Sequence, residues 1–288
     1  MSSRTHNQAY LDLQKLAREQ GRNTQQLFEL YIHERFLARL AASSFAERFV
    51  LKGGMLLAVL NVRRTTRDAD MLARGLSNDA NNLRAVIGEI AAIPMDDGVS
   101  FDPTTISVES IREDADYEGV RLTLPVDLGG AKLKLRLDLS FGDPIHPQHI
   151  DYPTLLDDPD FRLLGYPLES VIAEKADTMM LLADANTRDR DYGDVYLLSG
   201  IHQIEAQTLR EALRSVTEHR NHEIRPLGEM LETLRERRQQ PWERFRARSG
   251  LASLPERFSD VVDCVVGFID GVHDENISRW NPTERRWK

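Results

Sequence analysis

Two aspartates one residue apart, Asp68 and Asp70, stand between hydrophobic positions in the stretch TTRDADMLA. On a β-strand successive side chains point to opposite faces, so this spacing sends both carboxylates to the same face. A later stretch, AKLKLRLDLS, alternates Leu133, Leu135, Leu137 and Leu139 with Lys134, Arg136, Asp138 and Ser140, which puts Asp138 on the polar face of a strand. Carboxylates converging from separate segments can hold two divalent cations roughly 3.5–4 Å apart. Such a pair neutralises a triphosphate and activates a hydroxyl for attack on the same phosphorus, the chemistry of nucleotidyl transfer. Asp68 and Asp70 read as shared metal ligands, and Asp138 as the third ligand and the group best placed to help deprotonate the attacking hydroxyl. Ahead of them lies Lys52-Gly53-Gly54. Without Cβ atoms this backbone can approach a phosphate closely, and a helix starting there favours negative charge. Arg64, Thr66 and Arg67 flank the acids, and arginine grips phosphate bidentately. The competing readings are a bare glycine turn and solvated strand acids.

These residues need elements to hold them. FVLKGGMLLAVL reads as strand, tight turn and helix, and TTRDADMLA as a second short strand. Upstream, helices are expected over Ala9–Glu19 and, amphipathic and capped by Asn23 or Thr24, over Thr24–Ala42. A helix over Asp79–Ala92 ends before Pro94. ISVESI, GVRLTLPV and AKLKLRLDLS predict a small antiparallel sheet whose last two strands turn at Leu128-Gly129-Gly130. Residues 142–167 read as a Pro-containing connection. Helices are then expected over Glu169–Ala185, Arg190–Ser199, Ala206–Glu218 and Pro255–Val272, and the tail Asn276–Lys288, lacking periodicity, as mobile or partner-bound.

With the elements in this order, LKGGMLLAVLNVRRTTRDADML resembles the nucleotidyltransferase signature of a Gly pair followed, about a dozen residues on, by Asp-x-Asp between apolar positions. The fuller form, Lys52-Gly53-Gly54 then Arg64-x-Thr66-x-Asp68-x-Asp70, resembles the AbiEii/AbiGii toxin family, to which the MenT toxins are related. LDLSFGD, from Leu137 to Asp143, resembles that family's third-carboxylate strand. LESVIAEKADTMM supplies its lysine as Lys175, and RDRDYGDVYLL its helix motif as Arg190, Asp191 and Asp194. Two positions depart from the pattern: Ala69 stands where a larger apolar residue is common, and Gly193 interrupts the helix motif at a cost of about 1 kcal/mol relative to Ala.

The resemblance implies an α/β (α+β) fold. A polymerase-β-like nucleotidyltransferase core with a small mixed sheet would occupy residues 1–150 together with N-terminal helices. A largely helical domain over 151–288 would contribute Lys175 and Asp191. It also implies Mg²⁺, two ions, as cofactor and an NTP as substrate. Lys175 would meet the triphosphate or the leaving pyrophosphate, or else be a surface lysine paired with Glu174 or Asp177. Either Asp191 or Asp194 could be the functional aspartate, the other helping to bind nucleotide. A toxin of a toxin–antitoxin or phage-defence pair is implied, placing a nucleotide on an RNA acceptor, most plausibly the 3′ end of tRNA, and so stopping translation. A cognate antitoxin partner comes with it. The rivals are transfer to a protein or a small molecule such as an antibiotic, and a catalytically degenerate binding module.

Composition sets bounds. A net charge of −9, carried entirely by the first 200 residues, argues against coating nucleic acid by bulk electrostatics. One local basic patch, LRERRQQPWERFRARSG, interleaves Arg235, Arg237, Arg238, Arg244, Arg246 and Arg248 with Trp242 and Phe245. It suits phosphate contact with base stacking, an acidic protein partner, or a solvated helix whose aromatics belong to the core. His146 and His149 lack partners at ligand spacing and read as loop residues. Cys264, the single cysteine, excludes an internal disulfide and reads as a small buried hydrophobe. No apolar run approaches the roughly 20 residues of a membrane span and the N-terminus lacks a signal-peptide core, so a cytoplasmic location is expected.

Overall fold

The structure, a computed structural model, describes residues 6–114, 117–251 and 253–288. By packing, the chain divides into two compact units. Met1–Val59, Thr65–Asp143 and Pro147–Tyr166 form one, and Leu60–Arg64, Pro144–His146 and Pro167–Lys288 the other.

In chain order the first unit comprises α1 (His6–Gln20), α2 (Thr24–Ala41), β1 (Phe49–Lys52), α3 (Gly53–Leu56), β2 (Ala69–Ala73), α4 (Ala80–Ala91), β3 (Val99–Phe101), β4 (Ser107–Asp114), β5 (Tyr117–Leu128), β6 (Ala131–Phe141), β7 (Gln148–Tyr152) and β8 (Phe161–Gly165). Among the described residues these strands make one mixed sheet, ordered β3-β5-β6-β2-β1-β8-β7 with β4 also on β5. Strand β2 runs parallel to β6 and antiparallel to β1. Strands β5 and β6 form a hairpin in which Leu128 faces Ala131 across Gly129 and Gly130. Both glycines have positive φ, as a two-residue turn matched to the strand twist demands.

The leucine face of β6 is buried as its alternation predicts, and α2 packs across β6 and β8. Helix α2 is capped by Asn23, whose side chain accepts from the Gln26 amide. It lacks the polar face of the amphipathic helix expected: His33, Glu34, Arg35 and Arg39 are buried along with its apolar residues. Each finds a partner, which is what makes such burial tolerable. Arg39 forms a bidentate pair with Asp97, Glu34 accepts from the Leu155 amide, and Arg35 pairs with Glu34 and Asp158. The segment 142–167, expected to be a connection, holds β7 and β8, and β8 extends the sheet parallel to β1. The β8 sequence FRLLG does not alternate, and β7 shows period two only at Ile150 and Tyr152, so neither stands out from the Pro-containing stretch around it.

The second unit holds α5 (Leu168–Leu182), α6 (Asp189–Ile201), β9 (Ile204–Glu205), α7 (Ala206–His219), α8 (Leu227–Met230), α9 (Leu234–Arg237), α10 (Gln239–Ser249), α11 (Phe258–Ile269), β10 (Arg279–Asn281) and β11 (Arg286–Trp287). Gly193, unfavourable in a helix by propensity, has a packing reason: a Cβ there would stand 3.1 Å from Phe245 and 3.4 Å from Trp242. The tail is neither mobile nor unstructured. Strands β9, β10 and β11 form a small sheet, Trp280 is buried and donates from Nε1 to the Ser199 carbonyl at 2.7 Å, and Trp287 stacks on Phe268 at 5.5 Å. Two indoles supply the apolar burial that the tail's composition conceals. Cys264 is half-buried rather than buried, and accepts a hydrogen bond from Arg285 at 3.2 Å.

Candidate active site

Four charged residues lie in one row across four adjacent strands of the first unit. Lys52 on β1 is opposite Asp70 on β2, Asp70 is level with Asp138 on β6, and Asp138 is opposite Arg121 on β5. Asp68 comes two residues before Asp70, at the entry to β2. Its carboxylate accepts from the Thr66 hydroxyl at 2.9 Å, so Thr66 orients an acid rather than standing ready for a ligand. Arg67 is exposed.

Gly53 explains why a glycine must begin α3. Its φ is +63°, and a Cβ built on it would fall 2.6 Å from Cγ and 2.8 Å from Cβ of Asp70. The acid therefore lies directly against the Lys52-Gly53-Gly54 backbone. The helix that follows is a single turn, Gly53–Leu56, shorter than the sequence suggests, and offers little dipole.

Asp138 is nearly buried and both its oxygens are engaged. Arg121 donates from Nε to Oδ1 at 2.7 Å and from Nη2 to Oδ2 at 2.5 Å. This bond, with the nearby charges of Asp138, Asp68 and Asp70, holds the Arg121 guanidinium well above its usual pKa in spite of partial burial. Beside the row, Asp143 accepts from the Tyr166 hydroxyl at 2.6 Å, the Ser140 hydroxyl at 2.9 Å and the Lys52 ammonium at 3.4 Å. Burial would raise the Asp143 pKa, but Lys52 and the two hydroxyls outweigh it and hold the group below the ordinary carboxylate range. On the far side, His33 is fully buried against the Glu29 and Arg136 backbone and stays neutral: burial pushes its pKa down despite the nearby Asp68 charge.

The donor set of Asp68, Asp70 and Asp138 suits a hard divalent cation, which takes carboxylate oxygens, and the missing Cβ of Gly53 is what lets Asp70 occupy its place. As the side chains stand, no three acids, histidines or cysteines among the described residues make a finished cage, and Asp138 is engaged by Arg121. His146 and His149 are exposed and join no such group.

The second unit contains a separate charged cluster. Lys175 of α5 donates from Nζ to Asp191 and to Asp194 of α6, 2.8 Å in each case. Asp194 also receives Arg64 in a bidentate pair at 2.9 and 3.0 Å, and Asp191 receives Arg188 at 2.8 Å. Asp191 and Asp194 are three residues apart, one helical turn, and so address the same lysine. Burial alone would depress Lys175 and raise both acids, yet the charges oppose it. Lys175 is raised, and Asp191 and Asp194 lie below their ordinary values. The lysine is thus no surface residue paired with Glu174 or Asp177; Asp177 instead takes Arg220 and His222.

In the basic patch Trp242 is fully buried against Phe245 and Phe258 and donates to the Pro255 carbonyl at 3.0 Å, so of the alternatives for this residue it is the core aromatic, not the base-stacking one, that the structure shows. Arg238 is paired bidentately with Asp189, Arg235 with Asp263, Arg237 with the Asp184 carbonyl and Arg246 with the Leu254 carbonyl. Arg244 and Arg248 are exposed.

Arg121, Asp143, Tyr166 and Arg188 escaped the sequence reading. For Arg121 a signal existed: with Leu128 facing Ala131, counting seven residues back and seven forward sets Arg121 opposite Asp138. Tyr166 carries no such signal, since the strand that delivers it, FRLLG, does not alternate.

The class of protein follows from comparison with known families: this is a nucleotidyltransferase. Residues 35–264 match the family described as nucleotidyl transferase AbiEii toxin, type IV TA system, and the chain belongs to that family. Among solved structures it is similar to JHP933 from Helicobacter pylori, with 15% identity, 85% of this chain and 92% of that one covered, and a TM-score of 0.47. A second H. pylori protein, provisionally named a nucleotidyltransferase, shows 14% identity over 88% of this chain and all of its own, with a TM-score of 0.45. No curated protein matches the chain. Among the described residues no helix is long and apolar enough to cross a membrane.

Proposed function

We propose that the chain moves a nucleoside monophosphate from an NTP to an RNA acceptor, the 3′ end of tRNA, in a Mg²⁺-dependent reaction that blocks translation. The observation that carries this reading is the Lys52–Asp70–Asp138–Arg121 row with Asp68 beside it. Membership of a type IV toxin–antitoxin family brings with it an NTP substrate and an antitoxin partner.

Asp68, Asp70 and Asp138 would hold the cation, which when bound supplies charge neutralisation to the triphosphate. Thr66 keeps Asp68 in place through its hydroxyl, and the Gly53 backbone admits Asp70. Lys52, already beside Asp70, is the cation of the row nearest the Gly-Gly turn and would meet phosphate oxygens. Asp138 would take the proton of the attacking hydroxyl. The role implied for Lys175, contact with phosphate, requires the phosphate to compete with Asp191 and Asp194 for its ammonium.

A second reading, transfer to a protein or small molecule, gains support from the burial of Trp242, which weakens the stacking half of the RNA argument and leaves half-buried Phe245 with exposed Arg244 and Arg248. One experiment tests both. Purified protein is incubated with tRNA, Mg²⁺ and each α-³²P-labelled NTP, beside Asp68→Ala. Label on tRNA that vanishes in the variant is the expected result. Label only on protein or an added small acceptor overturns the RNA reading, and no label with any acceptor overturns catalysis in favour of a binding module.

A further inference from the structure

Both oxygens of Asp138 are taken by a single side chain, Arg121, at 2.7 and 2.5 Å. A cation can bind Asp138 only if the Arg121 fork gives up at least one of those oxygens. The two partners differ in how easily they can part. Asp138 has 7% of its side chain exposed, whereas Arg121 has 36% and reaches water at its outer edge. A guanidinium so placed can swing out and rehydrate without leaving a donor buried and unpaired. Lys175, the ammonium of the other cluster, has only 12% of its side chain exposed and lacks that freedom.

The geometry points to Arg121 as a built-in competitor of the metal: we propose that it pairs with Asp138 in exchange with a divalent cation and so sets the cation affinity of the carboxylate site. This rests on the reading of Asp68, Asp70 and Asp138 as metal ligands. Arg121 is thus a positioning residue. It balances three acids that would otherwise repel one another, and it withdraws when a divalent ion takes over that task. Asp68 and Asp70 act on it as well, so removing its charge strengthens the attraction of the whole group for a cation.

The test is Mn²⁺ binding to the full chain, followed by electron paramagnetic resonance, for wild type, Arg121→Met, Arg121→Lys and Asp138→Asn. Arg121→Met should bind Mn²⁺ on the order of tenfold more tightly than wild type, the scale of one partly exposed ion pair. Arg121→Lys, which keeps the charge but loses the fork, should lie between. A pair with only a structural role would lower stability in Arg121→Met and leave Mn²⁺ affinity unchanged or weakened, and that result overturns the inference. If wild type binds Mn²⁺ through Asp138, as weakening in Asp138→Asn would report, an unchanged Arg121→Met sinks the competitor role alone. If no variant binds Mn²⁺, the metal reading of the three acids falls, and the inference with it. Should Arg121→Met not fold, Arg121→Lys against wild type decides the same question.

Discussion

Replacing Gly53 by alanine tests the core of the site with one methyl group. The new Cβ would lie 2.6 Å from Cγ and 2.8 Å from Cβ of Asp70, against the roughly 3.4 Å or more of ordinary contact. Because Asp70 Cβ is itself too close, turning the carboxylate cannot relieve the clash, and β2 or the Gly53 backbone must move by more than half an ångström. The φ of +63° adds about 1–2 kcal/mol for a side chain in the left-handed region. Overpacking adds about 1–3 kcal/mol. Urea denaturation should therefore show a loss of about 2–5 kcal/mol. In the labelled-NTP assay, run well below the unfolding transition, displacement of Asp70 on the order of 1 Å should slow transfer by about 100-fold. A folded Gly53→Ala protein with transfer within a few-fold of wild type would refute the claim that Asp70 works from this position.

Asp194→Ala should destabilise the chain by about 3–5 kcal/mol in urea, since it leaves Arg64 without its bidentate partner and Lys175 with one acid instead of two. A loss below about 1 kcal/mol would contradict the geometry. Asp191 and Asp194 are depressed in the folded state, so their stabilising contribution is present above the unfolded value near pH 3.9 and lost as pH falls through their lower folded values. Lys175 is raised, so its contribution is full below the unfolded value near pH 10.4 and lost as pH rises through its higher folded value. Stability of wild type relative to Asp194→Ala should accordingly be flat from about pH 5 to 9, and a slope inside that window would show that the cluster is not ionised as drawn. Trp242→Ala should cost about 3–5 kcal/mol of stability without changing the acceptor labelled at low temperature, whereas Arg244→Glu with Arg248→Glu should leave stability within about 0.5 kcal/mol and reduce labelling of tRNA. Trp280→Ala should lower stability by about 3–5 kcal/mol, measured by thermal unfolding, because the tail is packed and not mobile.

Local physics made several elements readable from the residues alone. The period-two pattern of Leu133 to Leu139 could only be a strand with one apolar face, and Gly129-Gly130 could only be a tight turn, so the β5–β6 hairpin and the polar face of Asp138 were legible. Asp68 and Asp70 were legible as a same-face pair for the same reason. Partners supplied by distant segments were not. Arg64 finds Asp194 across 130 residues of chain, and Tyr166 reaches Asp143 only because β8 pairs with β1. The burial of the charged residues of α2, of Trp242 and of Trp280 was equally hidden. Sequence spacing encodes which way a side chain points from its own strand or helix. What it meets there depends on how separate elements pack, and that packing alone brought Arg64 to Asp194 and Tyr166 to Asp143.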